Sequence, residues 1–283
     1  MKNTTMQDIS YFPGCSLATS ASENNHALKQ VFRKIGFNLV EIEDWNCCGS
    51  SSAHSLNRNL GLGLASRNLA RAPAGRLLLV ACPSCRIRLR CAQLELQQSE
   101  AKQRHYSKIW GRHFDPELQI VHFFELLETA DFPEILSSRL SNLKYVPYYG
   151  CMLAHPPIMR QDRTHHGLLE KVLAKFSAAA LIWSHAFHCC GTFLSVARPE
   201  VVTPMVNEIV SGAIATGADC IITACVMCHM NLEMRCTLKK KIPIIPLSLI
   251  LTLLLGVEPS RHEKLISHHL IDPRPMLESI GLI

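Results

Sequence analysis

The chain has 283 residues, 48% hydrophobic and 18% charged, which excludes a disordered or fibrous protein and leaves room for two ordinary domains. Its net charge of +6 comes without a dense basic run, so nucleic-acid binding is excluded as an expectation. Thirteen cysteines are too dilute for a small disulfide scaffold and too many for an ordinary reduced enzyme, so metal or redox chemistry is expected of them.

From the N-terminus, "MKNTTMQDIS" is polar and has no apolar signal core, and a cytoplasmic location is the expectation. A first strand is predicted over Ile9–Phe12, followed directly by Cys15. "SASENNHALKQVFRKIG" reads as a helix. Ser20 and Glu23 suit a capping box, Ala27, Val31 and Ile35 share a face, and Gly36 can end it. A second strand over Leu39–Ile42 leads to the adjacent pair Cys47 and Cys48, then to Gly49. A helix over Ala53–Arg71 and a strand over Leu77–Ala81 bring the chain to the C-x2-C pair Cys82 and Cys85. The following "RIRLR", Arg86 to Arg90, reads as a solvated face, and Ile120–Phe123 as a fourth strand.

The order then repeats. Strands are predicted over Tyr145–Tyr149, Leu181–Trp183, Ile221–Ala224 and Ile244–Pro246, and helices over Leu168–Phe176 and Thr203–Thr216. Cys151 follows the first of these strands, Cys189 and Cys190 precede Gly191, and Cys225 and Cys228 form a second C-x2-C pair. Each cysteine element recurs about 140 residues after its counterpart, so ten of the thirteen cysteines belong to a tandem duplication. The apolar stretch Ile242–Gly256 has 15 residues and two prolines, too short for a membrane span; Leu247–Leu255 is expected to be a buried helix closing the second domain.

Alternating strands and helices predict an α/β fold: two tandem related domains, residues 1–142 and 143–283, each a small mainly parallel sheet flanked by helices. In such sheets ligands gather at strand carboxyl ends, which is where Cys15, Cys82, Cys151 and Cys225 fall. A C-x2-C pair alone can grip zinc, act as a dithiol or hold iron–sulfur. Zinc takes four ligands, so five cysteines per half leave one over, whereas a polynuclear cluster offers several irons. Adjacent cysteines pointing apart then make a two-pronged ligand, with Gly49 and Gly191 letting the backbone approach.

"YFPGCSLATSA", "EDWNCCGSSSAHS", "SRNLA", "YYGCMLAHPP", "CCGTFLS" and "ITACVMCHMNLEMR" together resemble the B-type polypeptide of heterodisulfide reductase, in the cysteine-rich CCG-domain family. The resemblance implies two noncubane [4Fe–4S] clusters, one held by Cys15, Cys47, Cys48, Cys82 and Cys85, the other by Cys151, Cys189, Cys190, Cys225 and Cys228. It implies an oxidoreductase component that reductively cleaves, or in reverse forms, a small-molecule or carrier-bound disulfide between them. Partners implied are a small ferredoxin-like protein and a flavoprotein, similar to the C-type and A-type polypeptides of that reductase. "GLGLA" at Gly61 lacks a third glycine and follows no strand, so electrons are expected from protein rather than from NAD(P)H. The alternative is an electron-transfer component of a succinate or fumarate:quinone oxidoreductase, with peripheral membrane contact.

No catalytic side chain is identified for the cleavage itself. His54 and His155 stand near the motifs and could give a hydrogen bond or proton to a bound sulfur; the family usually has arginine at the place of His155. Cys91, Cys220 and Cys236 are expected to pack as small hydrophobes. The pairs His165–His166 and His268–His269 are expected to be exposed, and Trp45 and Trp183 to pack beside the clusters.

Overall fold

The computed structural model describes residues 6–154, 159, 162 and 164–283. The first half runs β1 (Gln7–Phe12), α1 (Cys15–Ala18), α2 (Ser22–Lys34), β2 (Phe37–Glu41), α3 (Ala53–Leu56), α4 (Arg58–Arg71), β3 (Leu78–Val80), α5 (Pro83–Gln97), α6 (Glu100–Trp110), β4 (Ile120–Val121) and α7 (Phe123–Thr129). The second runs β5 (Lys144–Tyr148), α8 (Leu168–Ala174), β6 (Ala179–Ala180), α9 (Pro199–Ala215), β7 (Cys220–Thr223), α10 (Val226–Arg235), β8 (Ile244–Pro246), α11 (Leu247–Leu254), α12 (His262–Ser267) and α13 (Arg274–Ser279). Each half builds one four-stranded sheet, all of whose pairings are parallel. The strand orders β2-β1-β3-β4 and β6-β5-β7-β8 are the same topology drawn twice.

The two sheets bury a common core. Ile9, Tyr11 and Leu79 from the first sheet and Tyr145, Ile222 and Ile245 from the second belong to one apolar cluster, and each sheet has a second cluster behind it. The halves exchange helices across this core. α11, which follows the last strand of the second sheet, packs on α2 of the first half; α7, which follows the last strand of the first sheet, packs on α8 of the second. Every residue of α11 is buried. The expectation of a buried helix there is met, but its partner lies in the other half, and the Ser248 hydroxyl reaches Asn24 Oδ1 of α2 at 3.1 Å. Among the described residues, no helix is long and apolar enough to cross a membrane.

Several local expectations need correction. The capping box at Ser20 and Glu23 does not form. α2 begins at Ser22 with Ala21 as its cap, because Ala21 N–H closes the preceding turn on the Ser16 carbonyl at 2.9 Å. The helix expected over 53–71 breaks at Asn57, which turns extended and caps α4, its side chain accepting from Leu60 N–H at 3.0 Å. Phe123 belongs to α7 rather than to β4. β6 precedes Leu181–Trp183: only Leu181 N–H still reaches the sheet, and Trp183 turns to donate to the Pro147 carbonyl at 2.9 Å.

Arg86 is not on a solvated face. It is 4% exposed, in the first turn of α5, and faces Glu125 at 3.7 Å and Asp162 at 3.8 Å, while Arg90 forks onto Asp162 at 2.9–3.2 Å. His165 is likewise buried, against Glu125 Oε1 at 3.0 Å, and the His269 side chain is buried against Glu233; His166 and His268 are exposed as expected.

Candidate metal centres

Each sheet ends in the same sulfur arrangement. Cys15 opens α1 directly after β1, and Cys82 caps α5 directly after β3 with Cys85 in its first turn. Cys151 follows β5, and Cys225 caps α10 after β7 with Cys228 in its first turn. The adjacent pairs arrive on loops: Cys47 and Cys48 after β2, Cys189 and Cys190 after β6. All thirteen cysteines are free thiols. In each half three of the five are buried (Cys48, Cys82 and Cys85; Cys190, Cys225 and Cys228), and the other two are exposed or half-buried.

The sulfurs converge. Cys48 Sγ lies 3.2 Å from Cys85 Sγ, and Cys47 Sγ 3.9 Å from Cys15 Sγ; in the second half Cys190 Sγ lies 3.4 Å from Cys228 Sγ. Cys47 Sγ faces the exposed Cys15 and Cys48 Sγ the buried Cys85. Gly49 N–H donates to Cys47 Sγ at 3.5 Å, and Gly191 N–H to Cys189 Sγ at 3.3 Å. These glycines have φ of +77° and +75°, the left-handed conformation that folds the chain back onto its own sulfur.

A second pair of glycines escaped the sequence reading. Gly14 and Gly150, just before Cys15 and Cys151, have φ near +78° and +70° with ψ of 164° and 168°, a region that only glycine adopts without strain. A Cβ on Gly14 would stand 2.8 Å from Cys85 Sγ, and one on Gly150 3.1 Å from Cys228 Sγ. The signal was present as "PGC" and "YGC" at matched positions of the repeat.

Proximity redistributes the protons within each half. Hydrogen bonds from Cys47 and Cys85 hold the Cys48 thiol down to about 5, and the bond with Cys48 pushes Cys85 up. The bond with Cys228 lowers Cys190, and Cys228 rises. The bond from Cys151 holds Cys189 down to about 6, while Cys151 rises, as Cys15 does beside Cys47.

Each set opens into a cavity of about 260 Å³. Ser16, Ser50, Ser51 and Ser84 line the first with its five cysteines. The second is lined by Cys151, Cys189, Cys190, Cys225 and Cys228 with Tyr149, Met152, Leu194 and Met205. Ser84, Thr192, Phe193 and Met227 line both, so the two cavities share a wall made by both halves. The Ser16 hydroxyl reaches across this wall to Met227 Sδ at 2.9 Å. The sequence did not single out these wall residues, although Ser84 and Met227 occupy the same place inside the two C-x2-C motifs.

The arrangement fits polynuclear clusters better than zinc. Five soft sulfurs face each space, more than one tetrahedral ion needs. The Ser50 hydroxyl, in a side chain 5% exposed, is buried beside the first set with no protein partner among the described residues. A donor left over at that place suits hydrogen bonding to cluster sulfur.

The other candidates separate from the sulfur. His54 lines a different cavity, of about 160 Å³, with Arg58, Arg88, Cys91 and Glu95, and its Nδ1 faces the Gly49 carbonyl at 3.5 Å. His155 lies outside the described residues. Cys220 and Cys236 are packed in apolar cores, and Cys91 is half-buried. Trp45 packs edge-on against Phe12 with ring centroids 5.2 Å apart, and Trp183 against Tyr148 at 6.2 Å, each beside its own sulfur set.

The sequence pattern of the cysteine-rich domain (CCG) matches twice, over residues 9–90 and 145–233. A chain of Wolinella succinogenes described as 8-methylmenaquinol:fumarate reductase membrane anchor subunit is 27% identical over 281 residues, 94% of this chain and 98% of its own. The B-type polypeptide of the ferredoxin/F(420)H(2)-dependent CoB-CoM heterodisulfide reductase of Methanosarcina acetivorans is 25% identical, over 90% of this chain and 91% of its own. Its counterpart in the ferredoxin:CoB-CoM heterodisulfide reductase of Methanosarcina mazei is 24% identical, over 90% and 92%. The fold is shared by a hypothetical protein from Helicobacter pylori, whose crystal structure matches with a TM-score of 0.74 at 13% identity. That match spans 94% of this chain and 53% of the other.

Proposed function

The chain belongs to the cysteine-rich (CCG) domain family, and from that premise we propose that it is the iron–sulfur component of a multi-subunit reductase, cleaving or forming a disulfide between two noncubane [4Fe–4S] clusters. Cys15, Cys47, Cys48, Cys82 and Cys85 would hold one cluster, and Cys151, Cys189, Cys190, Cys225 and Cys228 the other. The observation that carries the reading is the shared wall of the two cavities, Ser84, Thr192, Phe193 and Met227. Clusters held there would supply one-electron chemistry on each side, together the two electrons that turning a disulfide into two thiolates requires.

The chain's own contribution is positional. The rigid strand ends and the first turns of α5 and α10 fix the buried sulfurs, and the Phe193 and Met227 side chains keep the space between them apolar. Among the described residues that line the two cavities there is no carboxylate, imidazole or ammonium group. A two-electron cleavage that ends in thiolates needs none, whereas reduction of a quinone in this space would need two protons delivered.

The second reading is an electron-transfer component between an iron–sulfur partner and quinone, favoured by the fumarate reductase relative. The most apolar helix, α11, is buried against α2 rather than presented to a membrane surface. In the disulfide reading a ferredoxin-like partner feeds electrons and a flavoprotein stands behind it.

Iron, zinc and acid-labile sulfide counted on chain purified without oxygen test the cofactor. About eight irons with matching sulfide are expected; zinc without sulfide would overturn the redox reading. Titration of the reduced chain with small disulfides and with a soluble quinone then separates the two functions. Oxidation by disulfides, with new cluster signals in the presence of thiols, is expected; oxidation by the quinone alone would select the second.

A further inference from the structure

Away from both cysteine cavities, the second half brings His229, Glu233 and His269 together. His229 and Glu233 are four residues apart on one face of α10, and His269 arrives from the chain after α12. Their side chains are 7%, 3% and 3% exposed. Glu233 Oε1 lies 3.0 Å from His269 Nδ1, Glu233 Oε2 3.4 Å from His229 Nε2, and the two ring nitrogens 3.3 Å from each other.

Protons alone serve this triangle poorly. If each neutral ring donates to its own carboxylate oxygen, the two donor nitrogens are crowded to 3.3 Å. If one ring donates to the other, a lone pair faces a carboxylate oxygen instead. The remaining nitrogen of His229, Nδ1, is buried with no hydrogen-bond partner among the described residues, so the ring is oriented by this cluster and by packing. A cation held between the two ring nitrogens and the Glu233 carboxylate satisfies these groups at once. Zinc with nitrogen and oxygen ligands at about 2.0–2.2 Å has tetrahedral edges of about 3.3–3.6 Å, close to the 3.3 Å between the ring nitrogens and the 3.4 Å from His229 Nε2 to Glu233 Oε2. Leu270 N–H donates to Glu233 Oε2 at 3.0 Å and holds the carboxylate in place, as outer-shell donors do around bound metals.

We propose that His229, Glu233 and His269 bind a divalent transition-metal ion of the zinc class, separate from the ten-cysteine centres. α10 carries Cys228 in its first turn, directly after Cys225, and His229 and Glu233 further along, so the ion ties the C-terminal segment to a helix that positions the second sulfur set. The site belongs to the second half only, since the matched positions of α5 hold Arg86 and Arg90.

The test is X-ray absorption at the zinc edge on full chain that carries its iron–sulfur complement and has been supplied with zinc alone. About one zinc per chain is expected, with nitrogen and oxygen neighbours near 2.0–2.1 Å and no sulfur shell near 2.3 Å. Absence of zinc, or a sulfur-dominated shell, would overturn the proposal, because zinc in the cysteine sets gives the latter. His269→Ala and Glu233→Gln should each bring zinc from about one per chain to near zero at unchanged iron. Zinc retained in either variant at the wild-type level counts against the site. Should a variant lose iron as well, the wild-type spectrum decides on its own.

Discussion

The two halves of the molecule are alike where sulfur is placed and unlike in what surrounds it. Strand order, the division into buried and exposed cysteines, and the glycine conformations beside them all recur. At four matched positions around the cavities, however, the first half has Ser16, Ser50, Ser51 and Ser84, where the second has Met152, Thr192, Phe193 and Met227. One C-x2-C helix continues into Arg86 and Arg90, the other into His229 and Glu233. The duplication thus conserves a donor set and leaves its surroundings to diverge. Hydrogen bonding and dielectric around the sulfurs set the potential of an iron–sulfur centre, so under the proposed function twin ligand sets in a hydroxyl-rich and a more apolar cavity would make two unequal redox sites.

The largest way to break the likeness is to remove one ligand. Cys189→Ser should empty the second centre and spare the first, taking iron from about eight to about four per chain. Iron and sulfide analysis with electron paramagnetic resonance reads this directly, and loss of both centres together would show that the halves do not load independently. Next in size is the first half's own device. Arg86→Ala takes the guanidinium away from Glu125 in a buried site, and loss of one partner of a buried ion pair should destabilise the fold by about 3–5 kcal/mol. Thermal unfolding at matched iron content measures it.

Why these differences were hard to see in the sequence follows from where their partners lie. The repeat of "GC", "CCG" and C-x2-C is local, and so are the apolar strands, so the sheets and the sulfur positions were legible. Arg86 was not, because Glu125 and Asp162, the acids that bury it, arrive from elsewhere in the chain, the second across the repeat. His165 and His269 read as surface residues for the same reason: Glu125 and Glu233 stand 40 and 36 positions away. The apolar run of α11 announced burial, but nothing within it announced that the burying surface is α2 of the other half. The cap of α2 was lost to a turn that only the preceding Cys15 helix creates.

A smaller effect tests whether the glycines before the first cysteine of each set are equivalent. Gly14→Ala and Gly150→Ala both force a side chain into a backbone region essentially reserved for glycine, at about 1–3 kcal/mol each. Gly14→Ala should be the worse, since its Cβ would stand 2.8 Å from Cys85 Sγ against 3.1 Å from Cys228 Sγ for Gly150→Ala. Cluster occupancy after mild oxygen exposure, compared between the two variants, orders them; equal loss would mean that the sulfurs yield freely in both halves.

The finest distinction rests on one hydroxyl. Ser50 and Thr192 hold the same place after the two CCG motifs, but they are not spent alike. Thr192 Oγ1 contacts the Met227 carbonyl at 3.4 Å, within the shared wall, whereas Ser50 Oγ is buried without a protein partner among the described residues. A free donor beside the first sulfur set stabilises added negative charge there and raises that centre's potential. Ser50→Ala should therefore lower the potential of the first centre by on the order of 50 mV, the one-electron equivalent of a hydrogen bond of about 1 kcal/mol. The second centre should not move. Thr192→Ala should disturb both, because Thr192 lines both cavities. Redox titration followed by electron paramagnetic resonance separates the two signals. A shift confined to one centre in the first variant and spread over both in the second would assign each signal to its half. Equal shifts from Ser50→Ala would mean that the two centres behave as one electronic unit, and the contrast between the hydroxyl-lined and the apolar cavity would then carry no redox consequence.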